Sequence, residues 1–234
     1  MKNLVITGAS RGIGKAIALE FANRNFNIIF CSRDKEKCEA LLKELKAFSP
    51  KGLFLYKTAD MSIKDEVLAF AAFVKSHFTT IDVLVNNAGV YLPGLVHDAA
   101  ENVLEKTIET NLYSAFYTTR ALVPMMLAQK SGHIFNMSSI AGLQAYKNGG
   151  SYTVSKYALQ GFNDALRDEL KESHIRVTSI NPGAVLTDSW AGVDLPTERF
   201  MDAADIGKTI YDIYCLSDRT VVEKIVLRPQ FGDI

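Results

Sequence analysis

Short apolar runs, rich in β-branched and aromatic residues, alternate along the chain with longer segments of helical period. The runs are NLVIT (3–7), NIIFC (27–31), GLFLYKT (52–58), DVLVN (82–86), HIFNM (133–137), RVTSIN (176–181) and KIVLR (224–228). Within them apolar residues follow one another instead of alternating cleanly with polar ones. Strands of a parallel sheet, buried on both faces, read this way. Helical spacing falls near residues 13–24, 35–48, 63–77, 100–129, 152–173 and 203–216. The second and third runs start about 25 residues apart, enough for a crossover helix. The order repeats without a break in composition and with no linker. It predicts one α/β domain over 1–234: a single Rossmann-fold unit, doubly wound, with a seven-stranded parallel sheet and helices on both faces. One long irregular stretch, PGAVLTDSWAGVDLPTERF (182–200), follows the C-terminal end of a strand, where open α/β sheets place ligands.

Composition narrows the function classes. The 234 residues are 48% hydrophobic and 22% charged, with a formal net charge of zero. A neutral chain without a basic run argues against a nucleic-acid partner. Cys31, Cys38 and Cys215 form no CxxC pair, and an odd count suits a reducing compartment. His77, His97, His133 and His174 lack metal-ligand spacing, so no metal is expected. The N-terminus lacks the apolar core of a signal peptide, and no apolar stretch approaches the roughly 20 residues needed to span a bilayer. A cytoplasmic protein with no membrane partner is the expectation.

Residues 7–14 read TGASRGIG, between the first strand and the first helix. Glycine there permits positive φ and close approach of backbone to a phosphate. The helix start offers free N–H groups and a partial positive charge. Gly8, Gly12 and Gly14 are spaced G-x-x-x-G-x-G rather than G-x-G-x-x-G, but the strand-turn-helix setting suggests dinucleotide binding. The second strand ends CSRD (31–34). Ser32 stands where an NAD-preferring site wants a carboxylate, and Arg33 follows. Arg33, with Arg11 as a second candidate, suits a 2′-phosphate, so NADP(H) is preferred over NAD(H). Asp34 reads as a helix N-cap.

Tyr152 and Lys156, in SYTVSK (151–156), lie four residues apart at the start of a helix. That spacing puts them on one face. A lysine ammonium beside a phenol favours the phenolate and lowers its pKa, which makes a proton donor usable near neutrality.

TGASRGIG (7–14), NNAG (86–89), Asn111 in ETNLYSAF, the serine pair 138–139, YTVSK (152–156) and NPG (181–183) occur in this order. Together they strongly resemble the short-chain dehydrogenase/reductase family over essentially the whole chain. The resemblance implies that Tyr152 is the general acid and that Lys156 lowers its pKa and holds the nicotinamide ribose. Ser139, chosen over Ser138 for its 13-residue spacing to Tyr152, would hydrogen-bond the substrate oxygen. Asn111 would bend its helix and hold a water linked to Lys156. The cofactor is expected against Gly8, Ser10, Arg11, Gly12, Ile13 and Gly14, then Ser32, Arg33, Asp60 and Met61. Asn87, Ala88, Gly89, Tyr152, Lys156, Pro182, Gly183, Val185 and Thr187 complete that set. Asp60 has a competing reading as a helix cap. Family precedent implies a homodimer or homotetramer built partly on the 100–129 helix, which carries Phe116 and Tyr117.

The substrate is expected between the residues after Ser139 and a lid loop at about 183–200. Ser139, Tyr146, Tyr152 and Trp190 are the main candidates, with Tyr91, Leu92, Leu143 and Leu186 as further walls. Apolar and aromatic walls suit a small-molecule carbonyl substrate, either flat or dicarbonyl. PGAVLTDSW (182–190) and RTVVEKIVLRPQFGDI (219–234) are similar to segments of bacterial sepiapterin reductases, which implies NADPH-dependent reduction of a pterin side-chain carbonyl or a relative. A 3-oxoacyl thioester (acyl-carrier-protein) reductase or a general carbonyl reductase is the alternative within the class. A non-catalytic cofactor-sensing Rossmann protein is the alternative outside it.

Overall fold

The computed structural model describes residues 1–145, 147–190, 192, 194–232 and 234. Seven strands form one parallel sheet: β1 (Lys2–Thr7), β2 (Phe26–Ser32), β3 (Phe54–Thr58), β4 (Val83–Asn86), β5 (Gly132–Met137), β6 (Ile175–Pro182) and β7 (Lys224–Leu227). Their spatial order is β3-β2-β1-β4-β5-β6-β7. The helices are α1 (Gly12–Asn23), α2 (Lys35–Phe48), α3 (Lys64–His77), α4 (Val103–Ile108), α5 (Ser114–Gln129), α6 (Gly150–Leu170) and α7 (Ala203–Tyr214).

The unbroken apolar runs are explained by where each neighbour points. On β1, Leu4 and Ile6 enter a core under α1 and α7, while Val5 enters a second core under α3, α5 and α6. Both faces are covered, so both register positions in the middle of β1 are apolar. The edges differ: β3 and β7 are only partly buried. The first core holds an aromatic cluster, with Phe21 and Phe26 edge to face at 4.9 Å and Phe21 and Tyr211 at 5.4 Å. Asp34 caps α2, accepting from the Lys37 N–H at 3.0 Å.

Three elements depart from the pattern in the sequence. Gly52 and Leu53 precede β3 as a turn, because Gly52 closes a bond to Ser49 and the Leu53 N–H goes to the Asn27 side chain, not to the β2 backbone. The 100–129 helix begins at Val103 and is interrupted by a π turn, Glu109–Tyr113, between α4 and α5. The 182–200 stretch holds two short 3₁₀ turns, Asp188–Trp190 and Thr197–Arg199.

Polar groups are also buried in the sheet. Asn86 donates to Thr119 Oγ1 and Asn136 Oδ1, both at 2.9 Å, and Asn136 donates to Asn163 Oδ1 at 3.0 Å. Gln160 of α6 donates to Asn181 of β6. Bonds of this kind fix α6 against the sheet in one register, because a slipped helix would leave buried amides unpaired.

His133 on β5 is fully buried, stacked 4.0 Å from Phe135. Thr178 Oγ1 donates to the Val222 carbonyl, so it accepts from His133 Nε2–H at 2.7 Å. Burial, helped by the Arg176 charge, holds the imidazole pKa well below its usual value. The unfolded chain therefore takes up this proton before the folded one does. Stability is intact above the ordinary histidine pKa of about 6.5 and falls as pH drops below it, by at most about 1.4 kcal/mol per pH unit. Between pH 6.5 and 5 the melting temperature of the wild type should fall more steeply than that of His133→Asn. Parallel curves would show that His133 is not the group that takes up the proton.

Candidate active site

Strand order reverses between β1 and β4, so the connections leaving them diverge and open a cleft at the C-terminal ends. The glycine turn leaves β1 here, and Asn87–Gly89 leaves β4. Thr7 Oγ1 accepts from the N–H groups of Asn87 and Ala88 at 3.1 and 3.0 Å. Asn87 Nδ2 donates to the carbonyls of Thr7 and Gly8 at 3.0 and 2.9 Å. Two loops far apart in sequence are thus stitched into one floor.

That floor fits a dinucleotide phosphate. Gly8 has φ +68°, and a Cβ there would sit 2.9 Å from the Ala88 Cα. A Cβ on Gly14 would meet the Gly8 carbonyl oxygen at an untenable distance. The first turn of α1 carries no acidic residue, and Arg11 at its N-cap makes no side-chain cap bond. Free N–H groups and the positive helix end face a cavity of about 240 Å³ lined by the glycine turn, Ser32, Arg33, Asp60, Met61, Ala88 and Thr187. Ser10 and Ser32 hydroxyls meet at 2.7 Å. Arg33 lies 3.9 Å from Asp60, whose other oxygen accepts from Ser62 N–H at 2.9 Å and Ser62 Oγ at 2.8 Å. Asp60 does not cap α3, whose N-cap is Ile63 with no side-chain cap bond; it closes a turn onto Ser62 and lines the cavity. Arg11 pairs with Asp188 at 3.2 Å, so both candidate arginines have a carboxylate neighbour at the edge of this cavity.

A second cavity of about 400 Å³ adjoins the first, sharing Ile13, Asn87, Gly89 and Thr187. Ser139, Tyr152 and Lys156 converge in it. Ser139 accepts from the Ala141 N–H at 3.1 Å and is hydrogen-bonded to Tyr152. Ser138 Oγ points instead toward the Lys156 backbone carbonyl, at 3.5 Å. Lys156 Nζ donates to the Met137 carbonyl at 2.7 Å and lies 5.5 Å from the centre of the Tyr152 ring. Asn111 sits in the π turn. It accepts from the Val90 N–H at 2.7 Å and donates to the Val90 carbonyl at 3.0 Å and Ser155 Oγ at 2.9 Å.

One electrostatic expectation is corrected. Tyr152 has a raised pKa, not a lowered one: burial pushes it up, the Ser139 hydrogen bond lowers it, and Tyr91 raises it further. Burial also brings Lys156 down from 10.5 to about 8. The ammonium is directed at a backbone carbonyl, so its pull on the phenol does not outweigh the low dielectric.

Pro182, Gly183, Val185, Trp190 and Tyr91 also line the larger cavity. Tyr91 meets Tyr152 edge to face at 5.2 Å. Tyr146 lies outside the described residues. Leu143 and Leu186 are exposed and, like Leu92, do not reach the cavity. Gln144 and Ile234 do reach it and were not foreseen. Gln144 sits five positions after Ser139, within a segment expected to form a wall, whereas nothing local in the sequence marks Ile234.

The chain belongs to the short-chain dehydrogenase family, whose model matches residues 2–196. It is 37% identical to a sepiapterin reductase of Chlorobaculum tepidum, over 99% of this chain and 97% of that protein. It is 34% identical to a 3-oxoacyl-acyl-carrier-protein reductase of Staphylococcus aureus, over 89% of each. Among solved structures, a metagenomic short-chain oxidoreductase in complex with NADP aligns with TM-score 0.85 at 32% identity, over 98% of this chain and 97% of that one. L-Sorbose reductase of Gluconobacter frateurii, complexed with NADPH and L-sorbose, aligns with TM-score 0.90 at 28% identity over 97% and 95%.

Lys156 should titrate near pH 8, seen by NMR of ¹³Cε-labelled lysine with Lys156→Met as the assignment control. Its folded pKa lies below the unfolded value. The wild type should therefore gain stability relative to Lys156→Met as pH rises from about 8 to about 10.5. A resonance that titrates at the ordinary lysine pKa would remove the burial argument.

Proposed function

We propose that this protein is an NADPH-dependent carbonyl reductase. The observation that carries the reading is the meeting of Ser139, Tyr152 and Lys156 in one cavity that opens onto the glycine-turn cradle. Bound NADPH supplies a hydride to the carbonyl carbon. The cradle from Gly8 to Gly14, with Arg33, Asp60, Met61, Asn87–Gly89 and Thr187, would hold it. As charge builds on the carbonyl oxygen, the Tyr152 phenol donates its proton there and Ser139 Oγ–H donates a hydrogen bond. A pKa raised by burial keeps Tyr152 protonated at neutral pH, as a general acid requires. The Lys156 ammonium stabilises the phenolate left behind. Asn111 positions this machinery, tying Val90 beside the cavity to Ser155 on α6.

The lid reading of 183–200 rests on Thr187 and Trp190, which line the cavity, and on the Arg11–Asp188 pair that joins this segment to the glycine turn. For the substrate we favour a flat or vicinal dicarbonyl of the sepiapterin kind. The walls are apolar and aromatic, and the similarity to the Chlorobaculum reductase extends over nearly the full chain. Assembly as a homodimer or homotetramer is supported by the aromatic surface of α5. There Phe116 is 40% exposed and packs on Phe162 with ring centres 6.1 Å apart.

Tyr152→Phe should cut NADPH-dependent carbonyl reduction by about 10²–10⁴-fold while leaving NADPH binding intact. Undiminished turnover would refute the mechanism, whereas a wild type that binds NADPH and turns over no carbonyl would favour the sensor reading. Arg33→Ala should weaken NADPH by about tenfold or more and NADH little, since it removes a charge-assisted contact to the 2′-phosphate. Equal losses for both would remove Arg33 from that role. In a panel of sepiapterin, small vicinal diketones and a 3-oxoacyl thioester, sepiapterin should dominate. A thioester preference would favour the Staphylococcus-like alternative.

A further inference from the structure

The opposite end of the sheet holds a second charged cleft. A cavity of about 470 Å³ opens where β1, β5 and β6 begin, beside the C-terminal end of α7. Strands of six to eight residues rising about 3.3 Å each place it roughly 20 Å from the catalytic cleft. Six basic side chains line it: Lys2, Lys130, Arg167, Lys171, Arg176 and Arg219. Only two carboxylates, Asp82 and Asp218, join them. In a chain with no net charge, this is a strong local imbalance.

Much of that charge is uncompensated. Arg167 pairs with Glu223 at 2.5 Å, and Lys171 pairs with Asp168. Among the described residues, Lys2, Lys130, Arg176 and Arg219 have no carboxylate at salt-bridge distance. Arg176 is held by neutral groups, donating to the carbonyls of Leu216 at 3.0 Å and Tyr214 at 2.9 Å, which fix the guanidinium without cancelling it. Lys2 donates to Tyr214 Oη at 2.6 Å. A concave surface with an excess of one sign of charge concentrates counter-ions. A planar guanidinium beside ammonium groups suits phosphate oxygens.

Among the described residues the lining carries two rings, Tyr214 and the imidazole of His174, and the Tyr214 ring already meets Lys2 and Arg176 at 4.8 and 5.8 Å from the ring centre. The cleft thus offers charge and little stacking surface. We propose that it is a binding site for a small polyphosphate anion, recognised through its phosphates and not through a base.

The test is titration of the full chain with inorganic pyrophosphate, followed by calorimetry and amide chemical shifts, with sulfate at matched ionic strength and ADP as comparison ligands. Saturable binding with Kd below about 1 mM is expected at about 0.15 M salt. The shifts should cluster at 130–132, 171–176 and 218–221. The double variant Lys130→Glu/Arg219→Glu changes two side chains outside the core and should weaken binding by about tenfold or more. ADP should bind no more tightly than pyrophosphate. Shifts confined to the glycine turn would place the phosphate in the cofactor cradle and overturn the proposal. So would sulfate binding as tightly as pyrophosphate, a nucleotide preference above about tenfold, or unchanged affinity in the double variant. Because the location of the shifts decides the matter, the outcome does not depend on whether the protein reduces carbonyls.

Discussion

The central constraint is that the middle of the sheet must be kept dry on both faces. Leu4, Val5 and Ile6 point alternately into two cores, and each core needs its own layer of helices. Parallel strands covered this way can be joined only by crossover connections. Winding outward from β1 in both directions produces a reversal between β1 and β4. The cleft is the gap this reversal leaves, so packing locates the site before any polar residue takes part.

Chemistry then depends on how firmly α6 is held. Tyr152 and Lys156 ride on its first turns, and the helix is tied to the sheet through Gln160–Asn181 and Asn163–Asn136. A lysine buried against a single carbonyl is costly unless its position is enforced. The amide network supplies that enforcement from within the core, and Asn111 adds a brace from the cavity side. The lowered pKa of Lys156 and the raised pKa of Tyr152 share one cause, the exclusion of water around this helix.

Most of the fold was legible because its signals are local. Continuous apolar runs, helical periods and the glycine turn specify their elements within a few residues of one another. The convergence of Ser139 with Tyr152 was legible only through a resemblance, since 13 residues of chain do not by themselves bring two side chains together. The direction of the Tyr152 shift was misread because a pairwise argument at i, i+4 ignores burial. It also ignores the Met137 carbonyl, which competes for the ammonium. Gln144 and Ile234 depend on how loops close over the cavity. The ion pairs of Arg33 with Asp60 and of Arg11 with Asp188 join residues far apart in sequence, which no local pattern encodes.

The π turn at Glu109–Tyr113 also sets a phase. A π turn accommodates one residue more than an α turn, and each added residue rotates the remainder of the helix by about 100° around its axis. Beyond it, α5 presents Ala115, Thr118, Thr119, Leu122 and Met126 to the interior. Without that extra residue, the same sequence would rotate Leu122 and Met126 off the sheet and swing Phe116 away from Phe162. The turn that lets Asn111 reach Val90 and Ser155 is therefore also the angular offset that aligns the apolar face of α5. A single-residue deletion there would disturb the core and the outer aromatic surface together.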